Sequence, residues 1–159
     1  MDVDRCYHGF REGYLDYATL TQQLKAWAEA FPGYVRLQSL GGTPEEREIW
    51  LLTVSPEPDR VRPAVWVDGN MHAGEVSGCS VALAIAETAL RLHVEDAAPV
   101  DLPDHVLAFL RGVTFHVCPR ISPDGAEHML HEGGFLRSVP RPVRSERDEP
   151  HWQHQDLDG

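Results

Sequence analysis

The stretch Val65-Trp-Val-Asp-Gly-Asn-Met-His72-Ala-Gly-Glu75-Val-Ser-Gly78 constrains this chain more than any other. An apolar strand runs into a Gly-Asn turn, and a helical pattern opens immediately after it. His72 and Glu75 sit at that junction, three residues apart. Residues i and i+3 share one side of a helical turn, so the spacing predicts both side chains on one face of the first turn. Imidazole and carboxylate are ligand types that a catalytic zinc prefers. A strand fixing one group and a helix start fixing the other make a rigid two-ligand half-site. Two protein ligands are one short of the usual three. Taken alone, the pair also fits a turn histidine with a helix-start glutamate favoured by the macrodipole.

Periodicity supplies the surroundings. Leu20, Leu24, Trp27, Ala28 and Phe31 recur at helical spacing, predicting a helix over 17–31 with Asp16 or Thr19 as its cap and Pro32-Gly33 as its stop. Residues 34–40 alternate as a strand, 41–46 form a turn, and 48–54 are almost continuously apolar, so the two strands predict a hairpin. Residues 64–68 are apolar on both sides and predict a central strand. A long helix over 75–92 follows, with Val76, Leu83, Ala86 and Leu90 as core candidates, then a short helix over 104–110 and a strand over 113–117. The intervening helices predict that the last two strands run parallel. After Pro119 periodicity fades into Pro, Arg, Glu, His and Gly, and the final residues read as a loop.

Composition bounds the function. A 42% apolar and 25% charged chain of 159 residues is an ordinary globular domain with a sizeable core. A formal net charge of -11 argues against nucleic acid or an anionic membrane as the main partner. No apolar run is long enough to span a bilayer, and the N-terminus lacks a signal-peptide pattern, which predicts a cytoplasmic protein. Cys6, Cys79 and Cys118 are odd in number and widely spaced, so neither a disulfide framework nor a thiolate metal site is expected. Cys79 and Cys118 read as small buried hydrophobes.

The order of features resembles zinc carboxypeptidases of the carboxypeptidase A type from about Tyr14 onward. A helix ends in Phe-Pro-Gly and a hairpin follows. Next comes a strand with Gly69-Asn-Met-His72-Ala-Gly-Glu75, then a helix, then a strand leading to Pro119-Arg-Ile-Ser-Pro-Asp-Gly125. The resemblance implies an α/β fold with a three-layer helix/mixed-sheet/helix arrangement, incomplete in this chain. Residues 14–159 would be the N-terminal part of the catalytic domain and 1–13 a short extension. It implies Zn²⁺ as cofactor, with His72 and Glu75 matching the first two ligands of the His₂Glu set that carboxypeptidase A uses. It places Arg137, in Phe135-Leu-Arg137-Ser, where the family has an Arg that polarises the scissile carbonyl, with Arg141 and Arg144 as alternatives. Ser122 stands where the family usually has Asn before Pro-Asp-Gly. The third ligand, the catalytic Glu and the Asn-Arg pair that grips the substrate carboxylate are expected beyond Gly159.

The implied reaction is hydrolysis of the C-terminal bond of a peptide or protein. A metal lowers the pKa of its bound water, a Glu moves the proton, and an Arg stabilises the oxyanion. The chain alone is expected to be nearly inactive, and poorly stable because half a sheet leaves an open edge. A related zinc amide deacylase and a non-catalytic pseudoenzyme or binding module are the alternatives. The remaining candidates have simpler accounts: Asp124-Gly125 as a turn, His116 as a core or edge histidine, and His128 and His131 on a solvated short helix. Trp152 between His151 and His154 reads as a tail anchor, with a metal pair as the alternative.

Overall fold

The computed structural model describes residues 2–95 and 101–133. Two α-helices and a four-stranded mixed sheet form the core. The first helix, α1 (Tyr17–Ala30), begins where the Asp16 carboxylate accepts a hydrogen bond from the Thr19 amide at 2.7 Å. That bond satisfies one of the donors a helix start leaves open. It ends at Phe31, which leaves helical geometry immediately before Pro32, as a residue preceding proline prefers. Leu20, Leu24 and Trp27 form its buried stripe. Gln23 is buried with them; its amide donates to the Cys6 carbonyl at 2.7 Å and accepts from the His8 amide at 2.8 Å. These bonds tie the N-terminal segment down, and Val3 and Phe10 join the hydrophobic core.

The expected hairpin is present. Strands β1 (Val35–Gly42) and β2 (Glu48–Val54) pair antiparallel with Val35 opposite Val54. Strand β3 (Ala64–Asp68) leads to α2 (Ser77–Val94), α3 (Asp104–Gly112) and β4 (Thr114–Cys118). As predicted, β3 and β4 are parallel, with Val65 opposite Phe115. The sheet order is β1-β2-β4-β3. The expectation that β3 is central is therefore corrected: among the described residues it pairs with β4 alone, at the sheet edge. It is β4 that lies inside, bonded to β2 on one side and β3 on the other.

Strand alternation divides the sheet into two faces. Val35, Leu52, Val54, Phe115 and Val117 point into the core, where Leu20, Leu24, Trp27, Cys79, Leu83, Ala86 and Leu90 meet them from α1 and α2. The other face carries Arg36, Thr53, His116 and Trp66 in one row across the strands. His116 Nδ1 lies 3.0 Å from the Thr53 hydroxyl, and Trp66 is 53% exposed. Cys79 and Cys118 are buried as expected, and burial pushes the Cys118 thiol up to about 11. Among the described residues no helix is long and apolar enough to cross a membrane.

Candidate metal centre

The β3–α2 connection is built by close backbone approach. A side chain at Gly69 would place its Cβ 2.4 Å from the Gly78 carbonyl oxygen and 2.9 Å from that of Pro119. One at Gly78 would come within 2.9 Å of the Asn70 nitrogen. Both positions need glycine because backbone atoms occupy the space a Cβ would take. The Gly69 amide donates to Cys118 at 3.0 Å, and its carbonyl accepts from Ile121 at 3.1 Å. The Asn70 carbonyl accepts from Ser122 at 3.1 Å. The connection is thus held between the end of β4 and the segment entering α4 (Pro123–His131).

Asn70 turns the chain in the left-handed region, φ 51°, which asparagine tolerates better than most residues. Its side-chain amide donates to the His72 carbonyl at 2.7 Å and to the Ala73 carbonyl at 3.3 Å. Beyond it, His72 and Glu75 lie in a turn closed by the Glu75 amide donating to the His72 carbonyl at 3.1 Å. The helix starts only at Ser77. This corrects the expectation that the pair occupies the first helical turn. The turn's i→i+3 bond still brings the side chains together, with His72 Nδ1 2.9 Å from Glu75 Oε1. His72 is partly covered, while the Glu75 side chain is 65% exposed at the rim.

An imidazole nitrogen and a carboxylate oxygen converging from a clamped loop fit a divalent metal of the zinc type. Among the described residues, no group of three or more His, Cys, Asp or Glu gathers to hold a metal. Arg137, Arg141, Arg144, His151 and His154 lie outside the described residues.

The other sequence candidates serve the frame. Pro123-Asp-Gly125, expected as a turn, is instead the first turn of α4 with Pro123 at its start. Proline is pre-organised there, since the amide it lacks would be unpaired anyway. Asp124 is fully buried and accepts from the Thr43 hydroxyl and from Arg47, each at 2.8 Å. Burial pulls the Arg47 guanidinium down, but hydrogen bonds to Glu45 and Asp124 outweigh it and the net shift is upward. Arg120 is buried and donates to the Leu15 carbonyl at 2.6 Å and to Glu127 at 3.3 Å. His128 sits 2.8 Å from Glu132 and His131 3.4 Å from Glu127, on the short helix expected for them. The Asn70 clamp and the Arg47–Asp124 pair were not foreseen. A Gly-Asn step before the histidine was the only sequence signal for the first.

The family model for zinc carboxypeptidases matches residues 20–153, most of the chain. The chain belongs to the zinc carboxypeptidase family. Zn²⁺ is the cofactor that family implies. Carboxypeptidase D of Mus musculus is 31% identical over 121 residues, which cover 74% of this chain and 8% of that protein. A zinc carboxypeptidase of Saccharothrix mutabilis subsp. capreolus is 28% identical over 131 residues, 81% of this chain and 27% of that one. The fold is shared with crystal structures of thrombin activatable fibrinolysis inhibitor and of carboxypeptidase A from Helicoverpa armigera. The first has TM-score 0.74 and 18% identity over 91% of this chain and 34% of that one. The second has TM-score 0.61 and 21% identity over 79% and 29%. The chain thus spans well under half the length of the relatives it matches, and its mixed sheet with flanking helices is part of a carboxypeptidase domain.

Proposed function

We propose that His72 and Glu75 are two of the three protein ligands of a zinc site that hydrolyses the C-terminal bond of peptides or proteins. The observation that carries this reading is the 2.9 Å approach of His72 Nδ1 to Glu75 Oε1, on a loop gripped from both sides, in a zinc carboxypeptidase chain. Residues 14–159 form the N-terminal part of that catalytic domain in this reading, with 1–13 preceding it. When bound, zinc supplies Lewis-acid polarisation of the scissile carbonyl and a water of lowered pKa.

The chain's own residues do the following. His72 offers a neutral imidazole nitrogen from the covered side of the turn. Glu75 offers a carboxylate from the solvent side, adding the negative charge that a divalent ion needs. Arg137 stabilises the oxyanion developing on the scissile carbonyl; a guanidinium does this without having to gain a proton. The third ligand and the general base come from outside the described residues. A peptide with a free C-terminus, incubated with the full-length gene product and followed by mass spectrometry, tests this. Stepwise loss of C-terminal residues, abolished by His72→Ala and by a chelator, is expected. Cleavage of N-acyl amino acids in preference to peptides would overturn it in favour of an amide deacylase.

A further inference from the structure

We infer that Asn70 is a positioning residue for the metal pair: its side-chain amide fixes the backbone of both ligands through the His72 carbonyl. This rests on the assignment of His72 and Glu75 as metal ligands. The His72 carbonyl oxygen accepts two hydrogen bonds, one from Asn70 Nδ2 at 2.7 Å and one from the Glu75 amide at 3.1 Å. A carbonyl has two lone pairs, and both are used here. The backbone of each ligand is therefore referred to one oxygen atom, and that atom is referred to Asn70.

The same Nδ2 reaches the Ala73 carbonyl at 3.3 Å, so both peptide planes that follow the ligand histidine are held. Asn70 can act as the fixed point because its own backbone is pinned. Its carbonyl accepts from Ser122 at 3.1 Å, Gly69 is bonded to both Cys118 and Ile121, and the residue is only 3% exposed. Groups that orient metal ligands contribute to metal affinity because the ligands then need not be ordered when the ion arrives. A residue serving only to make the turn would need the left-handed backbone and no side chain, and glycine would replace it without loss.

That difference sets the test. Co²⁺ alone is titrated into the full-length gene product, its Asn70→Gly variant and its His72→Ala variant. Visible absorption and the melting temperature of each metal-free chain are read alongside. Wild type should bind, His72→Ala should lose binding, and Asn70→Gly should bind about 10–100-fold more weakly, as loss of an outer-shell partner typically does. At saturating metal, Asn70→Gly should also show an altered Co²⁺ spectrum, which lower stability alone would not produce. In the wild-type chain, nuclear magnetic resonance supplies a reading that needs no variant to fold. Zn²⁺ should shift the Asn70 Nδ2 resonances and slow their exchange. If wild type binds no Co²⁺, or His72→Ala binds equally well, the ligand assignment falls and this inference with it. If His72→Ala loses binding but Asn70→Gly stays within about twofold of wild type, or the Asn70 amide ignores Zn²⁺ while His72 responds, the positioning role alone is overturned.

Discussion

Replacing Gly69 by alanine should unseat the loop that carries His72 and Glu75. The added Cβ would lie 2.4 Å from the Gly78 oxygen, 2.7 Å from the Gly78 carbonyl carbon and 2.9 Å from the Pro119 oxygen. All three are backbone atoms, so no side-chain rotation relieves the contacts. Either the start of α2 or the end of β4 must move, and the Gly69 bonds to Cys118 and Ile121 stretch with it. Overpacking in a well-packed site costs about 1–3 kcal/mol. With backbone as the obstacle on two sides, the upper end applies, about 3 kcal/mol, or roughly 6–12 °C in melting temperature for a domain of this size. Urea unfolding of the wild-type chain and Gly69→Ala, followed by far-ultraviolet circular dichroism, measures it. Gly112→Ala is the control: nothing lies within 4 Å of its Cβ, and it closes α3. There alanine should be neutral or stabilising by up to about 1 kcal/mol. A Gly69→Ala variant within about 0.5 kcal/mol of wild type would refute the close-approach reasoning.

Three further outcomes are expected. Asp124→Ala leaves Arg47, the Thr43 hydroxyl and the Glu45 amide without their common acceptor. Breaking a buried pair costs about 3–5 kcal/mol, and the partial exposure of Arg47 reduces this to roughly 2–4 kcal/mol, measurable by urea unfolding. His93 is held below its ordinary value of 6.5, first by burial and then by Arg111 and Arg62. A depressed histidine is neutral in the fold while the unfolded chain takes up protons. Its contribution is therefore complete above pH 6.5 and is lost as pH falls through the lower folded value. Melting temperature should fall less steeply below pH 6.5 in His93→Phe, which keeps the stack on Tyr34, than in wild type. Glu75→Gln keeps the shape of the turn but removes a full charge from the proposed metal pair. It should weaken Zn²⁺ binding in equilibrium dialysis while leaving unfolding by urea nearly unchanged, because the carboxylate is mostly exposed.

Local structure is legible in the sequence where the physics is local. The Asp16 cap, the stop before Pro32, the β1–β2 hairpin and the spans of β2 and β3 follow from spacing and turn chemistry within a few residues. Sheet order does not. Apolar residues on both sides of β3 suggested a central strand, yet which strand bonds to which is decided by β4, some fifty residues later. Pro123-Asp-Gly125 has turn-forming residues in sequence, but in the fold it opens a helix, and its Asp124 pairs with Arg47, 77 residues away. The approach of His72 to Glu75 is legible because three residues separate them. A turn and a helical turn share the i→i+3 bond, so the spacing brings the two side chains together although the helix starts two residues later than its pattern predicts. The Asn70 clamp was hidden because a Gly-Asn step reads as a turn whether or not the side chain holds anything.

The central claim is that this chain carries part of a zinc site through His72 and Glu75. Zinc stoichiometry and affinity, measured on the chain and on His72→Ala, test it most directly. One Zn²⁺ bound weakly per wild-type chain, and none by His72→Ala, is the predicted result. Absence of binding by the wild-type chain, or binding that survives His72→Ala unchanged, would contradict it.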